Sequence, residues 1–339
     1  KYSKTKPNIR RKISFKDSKN EFEKLLSQII PEQIPKIYVE DYRALNEKII
    51  KSSPTNPKLI ITAFSINYRR YFEFWSAFHM EKNHCKIAVS QHGGGYGSGK
   101  CMALDQHFIK AFDRYYTWGS DCFKDERVRT MPSFRLHYTK KRLFKSTANG
   151  PIMWIATTQA RYKTFAEHGL TGPHMIDYFK MQEDFYKDTN AKVKELLLWR
   201  YFHDPWDDCN RMLKFAPNLK IQKGLKDQMG KSSNFINELK KCRLAVHTAN
   251  ETTYIEALAS NFPSIIYWDR ERFVVHKKLE EVFDALVTAE ILHYSAASAA
   301  RKVNEIYNNP LKWWKTKNVQ NARSIFCNRL GNTSESVIS

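Results

Sequence analysis

Apolar positions along the chain fall into two kinds of run. Phe22, Leu25, Leu26, Ile29 and Ile30 recur at the spacing of one helical face, and Pro31 is expected to end that helix. Ser52-Ser53-Pro54 then breaks the pattern. Beyond it, short continuous apolar runs alternate with helix-compatible stretches. Leu59–Ala63 reads as a strand, the aromatic-rich Tyr68–Met80 as a helix, and Ile87–Val89 as a second strand. Strand, helix, strand with short connections predicts an α/β fold with a parallel sheet.

The rhythm restarts after Thr147-Ala148-Asn149-Gly150, with strands expected at Ile152–Ala156, Glu195–Trp199, Leu244–Val246 and Ser264–Tyr267. Two successive α/β units, 1–149 and 150–339, joined near Asn149-Gly150, are the natural division. From Pro310 to Leu330, the positions Trp313, Trp314, Val319, Ala322, Ile325 and Phe326 predict one long amphipathic helix that packs back across that boundary.

Composition narrows the class. The 339 residues hold 56 Lys and Arg against 35 Asp and Glu, a formal charge of +21, yet 42% are hydrophobic, with 17 Tyr, 21 Phe and 8 Trp. That content excludes a disordered polycation. No apolar run approaches the roughly 18–20 residues that span a bilayer, and Lys1–Lys16 lacks the apolar core of a signal peptide, so a soluble, folded, basic protein is expected. The six cysteines include no CxxC pair, which argues against a structural zinc site and a disulfide scaffold and favours a reducing, cytoplasmic setting. The charge suits nucleic acid, an anionic membrane surface or a phosphate-bearing substrate.

Two loops carry candidate chemistry. Gln91-His92-Gly93-Gly94-Gly95-Tyr96-Gly97 follows a strand directly. In an open parallel sheet ligands collect outside the carboxyl ends of strands, where glycine permits close backbone approach. Gly93, Gly94 and Gly95 are expected to form an anion nest, with His92 beside it as acid, base or phosphate donor; an ordinary tight loop is the competing reading. The second loop, His247-Thr248-Ala249-Asn250-Glu251-Thr252-Thr253, follows Leu244–Val246. Asn250 is expected to cap a helix from about Glu251 to Ser260, whose amide groups and the Thr252 and Thr253 hydroxyls then face a phosphate. Glu256 lies one and a half turns in and is read either as a partner for a ribose or sugar hydroxyl or as a surface carboxylate. Arg200 and His203 follow the strand Glu195–Trp199, and Lys223-Gly224 follows Leu219–Gln222; cations there suit a donor phosphate or a sugar carboxylate. One such loop in each half suits a nucleotide-sugar transferase whose acceptor and donor bind to different halves.

The ordered segments Gln91–Gly97, Asp113–Gly119, Asn250–Asp269, Trp313-Trp314 and Gln320–Cys327 together resemble the LIC-type surface-polysaccharide transferases of O-antigen and capsule loci, over residues 58–330. The resemblance implies a GT-B glycosyltransferase: two Rossmann-like domains facing across a cleft, an acceptor-side one over 1–149 with a helical leader and a nucleotide-sugar donor domain over 150–339. It further implies a nonulosonic acid such as pseudaminic acid, a CMP-activated donor, a bacterial surface glycan as acceptor, and no bound metal or cofactor. Ser120 and the segment Leu104–Lys110, with Asp105, Gln106 and His107, depart from the family pattern, which points to a different acceptor or an altered catalytic acid. His92 is the first choice for catalysis, with Asp105 and Glu256 in reserve; Gly93, Gly94, Gly95, Arg200, Lys223, His247, Thr248, Asn250, Glu251, Thr252 and Thr253 are expected to bind the donor.

Expected partners are a nucleotide sugar and a glycan or lipid-linked acceptor, with peripheral docking on an anionic inner membrane through Tyr68-Arg69-Arg70-Tyr71 and Trp313-Trp314-Lys315 as a further option. The alternatives are a UDP- or GDP-hexose transferase, a glycerol- or ribitol-phosphate polymerase, and a basic nucleic-acid-binding protein. Basic residues spread along the whole chain without an RNP, KH or zinc-finger pattern weigh against the last.

Overall fold

The computed structural model describes residues 4–13, 17–52, 54–63, 65–142, 146–162, 169–224 and 234–333. Its contacts divide the chain into two compact units, Lys1–Ala88 and Val89–Ser339. The first unit is mostly helical, with Glu21–Gln33, Tyr42–Ser52 and Arg70–Asn83 as its longer helices and a strand β1 (Leu59–Thr62). Asn20 starts the first of these by accepting the amide of Glu23, and Pro31 lies inside that helix, which runs two residues past the expected stop. The basic leader is built into the unit. Arg10 is buried, grips both oxygens of Glu40 at 2.8 Å and donates to the carbonyl of Pro31. The aromatic stretch expected as one helix is two, Ser65–Tyr68 and Arg70–Asn83, separated by Arg69 in an extended conformation.

Strand β2 (Lys86–Ser90) carries the chain into the second unit. There Gln91 donates its amide to Tyr116 O, on β3 (Arg114–Thr117), which pairs in parallel with β4 (Val128–Thr130). The following strands are β5 (Ile152–Ile155), β6 (Leu197–Tyr201), β7 (Lys220–Lys223), β8 (Leu244–His247), β9 (Ser264–Tyr267) and β10 (Leu292–His293). They form one sheet, ordered β10-β9-β8-β5-β6-β7, with every pair parallel. Unbroken runs such as Ile152-Met153-Trp154-Ile155 and Leu244-Ala245-Val246 suit strands covered on both faces. Alternation sends Ile152, Trp154, Leu244 and Val246 to one face, against Phe185 and Val303, and Met153, Ile155 and Ala245 to the other, against Leu239 and Ala257.

Taken in chain order from β5 as the first strand, the sheet reads 3-2-1-4-5-6, the doubly wound Rossmann order. Its direction of winding reverses between β5 and β8, and ligands collect outside the carboxyl ends at such a point. The α/β expectation with parallel sheets holds. The expected domain boundary at 149/150 falls within the second compact unit. Gly150 is tightly packed there, since a Cβ would lie 1.9 Å from Lys241 O. Glu195 and Leu196 belong to the helix Ala191–Leu196, so β6 starts two residues later than expected.

The C-terminal run forms two helices, Pro310–Trp314 and Lys317–Leu330, and the end of the second returns to the segment after β3: Asn332 N donates to Trp118 O and Ser133 N to Asn332 O. Trp314 is buried, with Nε1 on Asn261, and Lys302 lies over the Trp313 ring. This packing takes Trp314 out of the expected membrane-docking pair. No described helix is long and apolar enough to cross a membrane.

Within the six-stranded sheet, Trp154 Nε1 donates to Tyr267 OH at 2.9 Å, both side chains being fully buried. Tyr267→Phe therefore strands a buried indole N–H and is expected to lower stability by about 1–3 kcal/mol. Urea denaturation measures the loss, and adding Trp154→Phe is expected to restore part of it by removing the orphaned donor.

Candidate functional site

A cavity of about 280 Å³ opens at the carboxyl edge of the six-stranded sheet. Its walls come from the ends of three strands: Ile155 at the end of β5 with Ala156 and Thr157 after it, Arg200, Tyr201 and Phe202 at the end of β6, and Gly224 after β7. Glu251, Thr253 and Glu256 enter from the helix Thr252–Ala259, Phe235 from the helix Phe235–Leu239, and Arg135 from the helix Phe134–Arg142. Three parallel strands and the helix start after β8 thus converge on the point where the winding reverses.

Arg200 is 6% exposed and donates from Nη1 to Gln222 Oε1 at 2.7 Å; its guanidinium also lies over the Phe235 ring. Burial lowers its pKa, while the Glu238 carboxylate acts in the opposite sense. Glu251 accepts hydrogen bonds from the Thr157 hydroxyl and from Gln159 Nε2. Glu256 is 4% exposed and pairs with Arg135 Nε at 2.8 Å, so it is a buried partner of a cation and not a surface carboxylate.

The glycine loop meets the same helix from the other side. Gly94 N donates to Thr252 Oγ1 at 3.0 Å. A Cβ on Gly94 would lie 2.3 Å from the Glu251 carbonyl carbon, and one on Gly93 2.5 Å from Thr252 Oγ1. Glycine is required here for close packing. Of the amides expected to form an anion nest, that of Gly94 is taken by Thr252, and Gly93, Gly94 and Gly95 are not among the residues lining the cavity; Gly97 N nearby is taken by Asp105. The loop is also fixed from beneath, by Gln91 Nε2 on Gly93 O and Ser120 Oγ on Gly97 O, and farther along by Lys100 N on Val274 O and His276 N on Ser98 O.

His92, half-buried on this loop, has its pKa lowered first by burial and then by the positive charge of Arg135. The neutral imidazole therefore prevails near pH 7, as a proton acceptor needs.

Other expected residues take different places. Asp105 is buried under the loop, accepting from Tyr115 OH at 2.5 Å and Gly97 N at 2.9 Å, and supports the loop from outside the cavity. Asn250 precedes the cap: the helix starts at Thr252 with Glu251 as N-cap, and Asn250 Oδ1 accepts from Tyr254 OH. Thr248 is buried and bonds Ile155 O and Tyr178 OH, which ties β8 to β5. His247 is buried with its pKa pushed down to about 3 by burial; Nδ1 meets Thr253 Oγ1 at 3.3 Å, behind the cavity wall. Lys223 is exposed at the end of β7 and does not line the cavity. Among the described residues, no group of three or more His, Cys, Asp or Glu side chains is placed to hold a metal ion.

Arg135 was not among the expected site residues. Nothing in Pro132-Ser133-Phe134-Arg135 marks a ligand contact, and only the packing of its helix against Thr252–Ala259 brings it to the cavity. Phe202 and Phe235 have no sequence signal beyond following strand or loop positions.

Asp105 gives the loop a titratable support. Burial pushes its carboxyl up to about 6 from an ordinary 3.8, against the lowering effect of the Tyr115 and Gly97 hydrogen bonds. Between those values the folded chain binds the extra proton, so this group's contribution falls as pH rises from about 4 to above 6. Asp105→Asn is expected to remove that slope, the wild type losing about 1–3 kcal/mol relative to the variant across the window. Thermal unfolding of both proteins from pH 4 to 7.5 reads the difference.

A comparison with curated proteins gives no match. Among solved structures, the chain is similar to TarM at 12% identity and a TM-score of 0.49, over 87% of this chain and 56% of that one, so it spans little more than half of TarM's length. It is also similar to WaaG, a glycosyltransferase involved in lipopolysaccharide biosynthesis, at 10% identity and a TM-score of 0.38, over 87% of this chain and 92% of that one. The wall teichoic acid polymerase TagF is similar at 10% identity and a TM-score of 0.42, over 85% and 81%. The model of the LIC12162 family transferase matches residues 1–339, and the chain belongs to that family.

Proposed function

We propose that this transferase is a GT-B glycosyltransferase that binds a nucleotide sugar in the cavity at the carboxyl edge of the six-stranded sheet and passes the sugar to a bacterial surface glycan. The observation that carries the reading is the convergence of the β5, β6 and β7 ends and the Thr252–Ala259 helix start around buried Arg200 at the winding reversal. The amides of the first helical turn and Arg200 offset the charge that develops on the departing phosphate. Glu251, already an acceptor for two neutral donors, suits a ribose hydroxyl, and Phe202 and Phe235 offer apolar ring surface to a base or sugar.

In the transfer, the bond from the sugar to the phosphate oxygen breaks and a new bond forms to the acceptor oxygen. His92, kept neutral by burial and by Arg135, takes the acceptor's hydroxyl proton. Glu256 is held by Arg135, and Asp105 is buried under the glycine loop; His92, which like Asp105 is not in the cavity lining, is favoured by its neutral imidazole on the loop held against the Thr252–Ala259 helix. The donor favoured by the sequence resemblance is a CMP-activated nonulosonic acid, with UDP- or GDP-hexose and a polyol-phosphate donor as the alternatives. A nucleic-acid-binding role is set aside by membership of a transferase family.

Ligand-induced thermal stabilisation across CMP, UDP, GDP and their sugars tests the reading. A ligand at one hundred times its Kd is expected to stabilise by about 2.7 kcal/mol, and CMP ligands are expected to give the largest shift. A folded chain indifferent to every nucleotide defeats the proposal. His92→Ala is expected to abolish transfer with the shift nearly intact; loss of the shift instead makes His92 a binding residue.

A further inference from the structure

Arg135 is anchored at one corner only. Its Nε donates to Glu256 at 2.8 Å, while no described residue takes a hydrogen bond from Nη1 or Nη2, and its side chain is 51% exposed in the cavity wall. The anchor is firm, because Glu256 is nearly buried on a core helix and also accepts from Thr139 Oγ1. Arg200, the second guanidinium of the cavity, differs: it is buried at the strand ends and committed to Gln222. One small cavity thus holds two cationic groups from two separate elements, and the more exposed one presents an open planar fork.

We propose that Arg135 is the specificity-determining residue that reads a carboxylate on the transferred sugar, Arg200 and the helix start being left to the phosphate. The assignment rests on the nucleotide-sugar reading of the cavity. With Arg200 and the helix start facing the phosphate, the free Nη1 and Nη2 of Arg135 offer a second anion-binding position in the same space. The Nη1 and Nη2 fork fits the two oxygens of a carboxylate in a way a point charge does not. Fixing the guanidinium through Nε before the ligand arrives lowers the ordering cost of binding. A neutral sugar in the same place offers the fork hydroxyl acceptors only, without the charge-assisted bidentate pair, and is disfavoured for that reason. The Arg135 charge also lowers the His92 pKa, so the fork and the residue assigned to proton transfer are electrostatically linked.

Titration calorimetry with four probes, CMP, CMP-N-acetylneuraminic acid, UDP-glucose and UDP-glucuronic acid, tests the assignment. With whichever nucleotide the wild type accepts, the acidic sugar is expected to bind about tenfold or more tightly than its uncharged counterpart or the bare nucleotide. Arg135→Gln is expected to erase that preference while the affinity for CMP or UDP-glucose stays within about threefold, and Arg135→Lys to keep only part of it. Because Arg135→Gln leaves the Glu256 carboxylate buried without its cation, the double variant Arg135→Gln with Glu256→Gln repeats the measurement with the pair neutralised. Equal weakening of bare CMP and the acidic-sugar nucleotide makes Arg135 a phosphate cation and overturns the proposal, as does a wild type with no preference for the acidic sugar. A folded wild type that binds none of the four overturns this assignment, and if the thermal-shift series finds no binding of GDP or its sugars either, the nucleotide-sugar reading falls with it.

Discussion

The approach of the glycine loop to the first turn of the Thr252–Ala259 helix sets the geometry on which the site depends. With Gly94 N on Thr252 Oγ1 and no room for a Cβ between the loop and Glu251, the loop that follows β2 is held against the helix that follows β8. That contact fixes where His92 can stand relative to the sheet edge. The same helix carries Glu256 to Arg135, so one short element braces the loop on one side and positions a guanidinium on the other. A side chain at Gly94 would disturb both arrangements, because the neighbouring atoms are backbone and cannot give way as a flexible side chain can.

The strands were legible because burial on both faces leaves an unbroken apolar signature. Ser264–Tyr267 was read at its full length and Ile152–Ala156 to within one residue. β10 was not anticipated, since two residues carry no periodicity. The glycine loop stands out in composition, but Gly-Gly-Gly signals only that side chains are excluded and does not say whether an anion or a helix occupies the freed space; at Gly93 and Gly94 the neighbour is the start of the Thr252–Ala259 helix. Asn250 has the chemistry of a cap, and the chain places Glu251 there because the Asn250 amide oxygen is taken by Tyr254 one turn on. Trp313 and Trp314 share an aromatic pattern with membrane anchors, and the buried hydrogen bond from Trp314 to Asn261 is a tertiary fact that no local pattern carries. Arg135 is the clearest case. Its importance comes wholly from which helix its own helix packs against.

Several described buried ionisable groups in the second unit either have a fixed partner or are driven neutral. His247 stays uncharged because burial lowers its pKa to about 3, which allows it to sit behind Thr253 without a counter-ion. Lys302, also buried, is surrounded by Glu290 and Glu305 at 2.7 and 3.1 Å. Asp208 is pushed up to about 7 by burial and by the nearby Asp204 charge, and remains largely protonated below neutrality. Against this background Arg200 and Arg135 stand apart. Arg200, held by Gln222 and lying over the Phe235 ring, and Arg135, anchored at Nε by Glu256, both face the cavity, an arrangement suited to meeting a ligand.

The net charge of +21 gains a narrower meaning from that arrangement. At rest the cavity's arginines and glutamates balance in number, so its attraction for anions comes less from total charge than from the direction of the available donors. A surface cation is screened within about 10 Å at ordinary ionic strength, whereas the Arg200 guanidinium, buried at the strand ends, keeps its field. On the proposed reading, the excess positive charge elsewhere would act on the rate at which an anionic donor arrives, and the oriented guanidiniums and helix amides on how it is held. Because those donors are already fixed by Gln222, Glu256 and the helix itself, the proposed transfer would need little reorganisation as charge moves onto a leaving phosphate, and that pre-orientation is where such a site would supply catalysis.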